Sequence, residues 1–167
     1  MKTSVLIHKG WQAMVMAMAL SLPAVQAAET AKTAPLFTAT TVSGQEFKLA
    51  DYLGNQPVYL KFWATWCSFC KAEMPHLNTI KDEFGDEIKV ISVNVGFNDS
   101  VANVQQFFHQ EGYDIPTIFD ANGEITQKYQ VVGTPHHILI DKDGKIAYRT
   151  FLATDQLDQI IEQWAQH

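Results

Sequence analysis

The two cysteines of this 167-residue chain, Cys67 and Cys70, stand two residues apart at the end of an apolar run. That run, Val58-Tyr59-Leu60-Lys61-Phe62-Trp63, is rich in β-branched, aromatic and large apolar residues and reads as a buried strand. Ser68 to Phe84 reads as a helix, so Cys67 falls where a strand hands over to a helix. Unpaired backbone N–H groups and the positive end of the helix dipole stabilise an anion at such a point. They favour the thiolate, which is the nucleophilic form of cysteine. Cys70 lies about one helical turn further on, so its sulfur can face Cys67. The pattern predicts a reversible Cys67–Cys70 disulfide, with Cys67 the more exposed, attacking sulfur and Cys70 the more buried, resolving one.

Two inert readings of the pair are weaker. A structural zinc site usually takes four ligands, and there is no second Cys-x-x-Cys or close Cys/His pair to complete one. A purely structural bridge closing so short a loop removes little chain entropy.

The whole segment Phe62-Trp63-Ala64-Thr65-Trp66-Cys67-Ser68-Phe69-Cys70-Lys71-Ala72-Glu73-Met74-Pro75 resembles the active-site segment of the thioredoxin superfamily. More narrowly, it is similar to the TlpA/ResA-like thiol:disulfide oxidoreductases of the bacterial cell envelope. Val132-Gly133-Thr134-Pro135, followed by His137-Ile138-Leu139-Ile140-Asp141, resembles that family's proline loop and next strand. The resemblance spans roughly Pro35 to Trp164. It implies a cis Pro135 lying against the disulfide and substrate contacts from Trp66, Thr134 and Pro135. It also implies a membrane-embedded thiol donor as the source of regenerating electrons.

Upstream, Lys2, His8 and Lys9 precede an uncharged stretch, Gly10 to Ala28, ending in small residues at Val25-Gln26-Ala27. Residues 1–27 therefore read as a cleaved secretory signal peptide, the alternative being an uncleaved membrane anchor. The apolar centre is short and diluted for a permanent span. Export would put the thiols in an oxidising compartment, periplasmic or otherwise extracytoplasmic. Cleavage would remove two of the 12 Lys and Arg, leaving 10 against 18 Asp and Glu, a formal charge of −8. Without a basic stripe, nucleic acid is not an expected partner.

About 140 residues then remain, which suits one domain with one core. Residues 28–34 read as a flexible lead-in and 35–167 as the domain. Phe37 to Leu49 carries a Ser-Gly turn between β-prone runs, an N-terminal β-hairpin. Ile88 to Val95 is a second core strand, and Asn98-Asp99-Ser100 caps a helix over Val101 to Glu111. Ile115 to Phe119 is a short extended piece and Glu124 to Tyr129 a short helix. Asp143-Gly144 turns a second hairpin, and Thr154 caps a final helix through Trp164. The expected class is α/β: a thioredoxin fold with a central mixed β-sheet flanked by helices and a central strand-helix insertion.

Around the thiols, Glu73 shares a helical arc with Phe69, Leu77, Ile80 and Phe84, which aims its carboxyl at the core one turn below Cys70. Burial would raise its pKa and suit it to exchange a proton with Cys70 near neutral pH. Lys61 stands mid-strand, where thioredoxins proper resemble one another in having a buried Asp. It is expected to modulate Glu73. His136 and His137 occupy positions where the family more often has a small polar residue. Alternation predicts one of them on the active-site side, and His136 is taken as the modulating one.

These readings converge on an exported thiol:disulfide oxidoreductase with no dissociable cofactor and no metal. It would reduce disulfide-bearing envelope proteins, with apocytochrome c as one candidate. An envelope oxidase or isomerase is the nearest rival. A copper-handling protein is another, although the copper-binding relatives resemble Cys-x-x-x-Cys, one residue wider. A peroxiredoxin is disfavoured, because Thr65 stands two residues before Cys67 rather than three.

Overall fold

The computed structural model describes residues 32–166. The expected signal peptide and residues 28–31 of the lead-in lie outside them. Residues 32–34 are tied down: Ile146 N–H donates to Lys32 O and Ala34 N–H to Gly144 O, each at 2.9 Å.

Five strands form one mixed sheet in the order β5-β4-β3-β6-β7. They are β3 (Val58–Trp63), β4 (Lys89–Asn94), β5 (Thr117–Phe119), β6 (His136–Ile140) and β7 (Ile146–Thr150). β3 pairs parallel with β4 and antiparallel with β6. All six residues of β3 are buried, which explains its unbroken apolar character: a central strand covered on both faces needs no polar alternation. A separate hairpin, β1 (Thr38–Thr40) and β2 (Glu46–Lys48), joins the sheet edge through Val42 N–H to Thr117 O at 2.7 Å.

Side-chain alternation along β3 divides the core in two. Tyr59 and Trp63 pack with the disulfide, Met74, Leu77, Val104, Phe108, Leu157 and Ile161. These residues belong to α1 (Ser68–Ala72), α2 (Met74–Phe84), α3 (Val101–Glu111) and α5 (Asp155–Ala165). Val58, Leu60 and Phe62 pack instead with Phe37, Phe47, Ile125 and Tyr129, beneath the hairpin and α4 (Glu124–Lys128).

The helix expected over Ser68 to Phe84 is two helices. α1 stops at Ala72, and α2 begins at Met74 with Pro75 in its first turn. Pro75 has no N–H to give and its ring crowds the carbonyl one turn back, so the helix breaks there rather than bending smoothly. Glu73 sits at the break with φ −95° and ψ −4°. The break also changes the helical phase, and Phe69 is exposed instead of sharing the buried arc of Leu77 and Ile80.

Candidate active site

The sulfurs of Cys67 and Cys70 are 2.09 Å apart, a formed disulfide. Cys67 is the N-cap of α1, and its Sγ accepts the Cys70 backbone N–H at 3.2 Å. Cys67 keeps 7% exposure and Cys70 none.

The turn before Cys67 is held by a loop the sequence reading treated only as a helix cap. Asp99 accepts Thr65 N–H at 2.7 Å, Thr65 Oγ1–H at 2.8 Å and Asn94 Nδ2–H at 2.8 Å. The helix cap itself is Ser100. Trp66 Nε1–H donates to Phe97 O at 2.7 Å. The loop turns at Gly96, with φ +73°, where a Cβ would collide with the Asp120 carbonyl.

Trp66 lies 52% exposed beside Cys67 and meets the exposed Phe97 edge-on; Phe69 and Val132 are exposed as well. Between Trp66 and the proline loop lies a cleft of about 300 Å³, lined by Trp66, Val95, Phe97, Val131, Val132 and Thr134 among others. The Thr134–Pro135 peptide bond is cis. Trp63, by contrast, is fully buried; its Nε1–H donates to Ser92 Oγ at 3.1 Å and its ring stacks on Phe108.

Behind the disulfide lies a buried polar group. Lys61 is 0% exposed and its Nζ donates to Glu73 Oε2 at 2.9 Å. Glu73 Oε2 also meets His137 Nε2 at 3.0 Å, and Oε1 accepts Ala153 N–H at 2.8 Å. His137 Nδ1 lies 2.6 Å from Tyr59 Oη.

Two expectations are corrected here. Burial does push the Glu73 carboxyl up, but the hydrogen bonds from His137, Ala153 N–H and Lys61, with the Lys61 charge, outweigh it and hold the carboxyl down to about 2. Glu73 is therefore ionised at neutral pH, not poised to titrate there. The second correction concerns the histidines. Register places Lys61 opposite His137 and Phe62 opposite His136. His137 thus shares the Glu73 face, and His136 lies on the other side of the sheet. There Arg149 Nε and Nη2 approach His136 Nε2 at 3.2 and 3.0 Å. The alternation rule had foreseen the split; which histidine faced the thiols could not be fixed without the register.

Residues 30–149 match the AhpC/TSA family. The chain belongs to that family. Within it the similarity is to thiol-disulfide oxidoreductases. The chain is 35% identical over 119 residues to the thiol-disulfide oxidoreductase ResA of Bacillus thuringiensis subsp. konkukian, covering 71% of this chain and 67% of that protein. Among solved structures, the exposed lipoprotein thioredoxin of Streptococcus pneumoniae superposes with a TM-score of 0.65 at 31% identity, over 80% of this chain and 100% of that one. A secreted disulfide oxidoreductase of Mycobacterium tuberculosis, homologous to Escherichia coli DsbE, gives 0.65 at 28% identity, over 78% and 96%. Like these similar proteins, the protein has the thioredoxin fold, and it is a thiol-disulfide oxidoreductase whose redox pair is Cys67 and Cys70. No helix among the described residues is long and apolar enough to cross a membrane.

Proposed function

We propose that the protein acts outside the cytoplasm and reduces disulfides of polypeptide substrates by two-step exchange. The carrying observation is the asymmetry of the sulfurs: one reaches the surface beside an apolar cleft and the other is sealed. In the dithiol form, the Cys67 thiolate attacks one sulfur of the substrate disulfide. A Cys67–substrate mixed disulfide forms, and the other substrate sulfur leaves as a thiolate that takes up a proton. Cys70 then gives up its proton and attacks Cys67 Sγ. The second substrate sulfur leaves, takes up a proton, and the Cys67–Cys70 disulfide is restored. Two electrons and two protons pass to the substrate, and nothing else is consumed. The Cys70 N–H that points at Cys67 Sγ supports the thiolate in the first step.

Glu73 stays ionised at neutral pH, so the Cys70 proton passes to solvent, from which the departing thiolate takes one up; Glu73 acts on Cys70 through its fixed negative charge. Lys61 modulates Glu73 directly. Trp66 and the cleft receive the residues that flank the substrate cysteine, while the backbone of Thr134, before cis Pro135, pairs with the substrate chain as an added strand. Electrons return from a membrane thiol donor. The export expected of residues 1–27 and the secreted and surface-exposed relatives support the location.

The test is the reduction potential of Cys67–Cys70 together with the thiol state in the producing cell. A potential near about −270 mV with the thiols reduced in place fits a reductase. One near about −120 mV with a standing disulfide means an oxidase.

A further inference from the structure

We propose that Tyr59 and His137 are positioning residues for Glu73: the Tyr59 hydroxyl fixes the His137 ring in one tautomer, and that ring with Lys61 fixes the Glu73 carboxylate and its charge within one turn of Cys70. The inference rests on the exchange reading above, but it concerns residues with no part in that chemistry.

The hydrogen positions follow from valence. A carboxylate only accepts, so the proton between His137 and Glu73 belongs to His137 Nε2. In a neutral ring Nδ1 is then the acceptor, and Tyr59 O–H donates to it at 2.6 Å. Both rings are fully buried, so neither bond can be exchanged for water. Burial raises the Tyr59 phenol well above its usual range, which keeps the donor protonated. Burial likewise lowers His137, against an opposing pull from Glu73, which keeps the ring neutral.

The consequence falls on Glu73. A carboxylate offers about four lone-pair sites. Lys61 Nζ and His137 Nε2–H converge on Oε2, and Ala153 N–H takes one site on Oε1. One site on Oε1 is left uncommitted among the described contacts. Glu73 N–H donates to Cys70 O, so the two residues are held within one turn. The groups on this carboxylate are Lys61 from β3, His137 from β6 and the Ala153 N–H before α5, with Tyr59 of β3 reaching it through His137. His76 of α2 pairs with Asp158 of α5 at 3.1 Å; His76 acts to lower His137, and the Asp158 charge acts to raise Tyr59.

The experiment is nuclear magnetic resonance on the oxidised protein, following the Glu73 carboxyl carbon and the His137 ring nitrogens against pH. It is paired with the pH profile of mixed-disulfide resolution by Cys70. The wild type is expected to show a single Nε2–H tautomer for His137 and a midpoint below that of an exposed histidine. In His137→Leu the Glu73 midpoint should rise by about one pH unit, the worth of one charged hydrogen bond. The resolution profile should move with it, and His137→Gln, which keeps an N–H donor, should return both part-way. In Tyr59→Phe, which preserves the ring volume, His137 should begin to titrate. An Nδ1–H tautomer in the wild type overturns the proposal, as does an unmoved Glu73 midpoint in His137→Leu. Should His137→Leu not fold, a His137 that stays neutral and single-tautomer in Tyr59→Phe overturns it equally. These spectra are independent of redox direction: a broken network with exchange intact sinks this inference alone, whereas an intact network with no disulfide exchange sinks the exchange reading and this role with it.

Discussion

The Lys61 ammonium, with no exposure to solvent, sits 2.9 Å from Glu73 Oε2, whose side chain is 16% exposed. A lone cation in a core is costly, and the partner is what makes it tolerable. Glu73→Gln removes that partner's charge while keeping its shape, and should destabilise the protein by about 3–5 kcal/mol. Lys61→Met alone should cost less, roughly 1–2 kcal/mol, because His137 and Ala153 N–H still hold Glu73. The double variant should recover most of the loss. Urea unfolding of the four proteins at pH 7 gives the cycle, and additive single effects would show that the pair is not coupled.

Acid should erode stability in two windows. His136 is held down to about 4 by burial, by Arg149 and by His137, against an ordinary 6.5. The unfolded chain therefore binds the extra proton first. This contribution is complete above pH 6.5 and is lost as pH falls toward 4, with a slope approaching about 1.4 kcal/mol per pH unit. Glu73, at about 2 against 4.5, adds stability that is complete above pH 4.5 and lost toward pH 2. In His136→Gln the first limb should become shallower but not vanish, because His137, also lowered by burial, loses stability in the same direction, and the second should remain. A wild-type curve that is level from pH 6.5 to 4.5 would contradict the first assignment.

Asp99 shows where the sequence stopped being informative. The strand-to-helix junction, both hairpins and the last three helices were legible, because each rests on local periodicity or turn chemistry, and the proline loop was legible through the family resemblance. Glu73 facing inward was expected from the phase of one continuous helix; its carboxyl does turn inward, but at a break between two helices that leaves Phe69 exposed. What Glu73 meets was not legible: His137 is 64 residues away and reaches it through strand register, and Ala153 N–H offers no side-chain signal at all. Its carboxyl was expected to be raised because burial can be read from a helical wheel while the donors cannot. Asp99 was hidden in Asn98-Asp99-Ser100, where any of the three could cap α3; that it reaches back 34 residues to Thr65 depends on how β4 sets the loop against the turn.

That contact carries a prediction. Asp99 binds both the N–H and the hydroxyl of Thr65, two residues before Cys67. Asp99→Ala should free this turn and slow attack by Cys67 about tenfold, through lost orientation of the sulfur. Thr65→Val, which gives up only the hydroxyl bond, should slow it less. Single-turnover rates with a small aromatic disulfide measure this directly, and equal rates for all three proteins would assign Asp99 to helix capping alone.

Trp66 separates recognition from chemistry. Its ring is half exposed, yet its Nε1–H is fixed to Phe97 O, so the indole is a rigid wall of the cleft rather than a mobile side chain. A rigid aromatic contributes binding at little entropic cost, and losing such an anchor typically removes about 2 kcal/mol of interaction. Trp66→Ala should therefore lower kcat/KM for a disulfide-bearing polypeptide roughly 30-fold. A small disulfide that touches only the sulfur should feel the change far less, since Cys67 keeps its cap position and its N–H partner from Cys70. Trp66→Phe should recover part of the polypeptide rate, because the ring face is kept and only the Phe97 tether is lost. If both substrates slow by the same factor, Trp66 shapes the sulfur's surroundings and the cleft does not read the substrate.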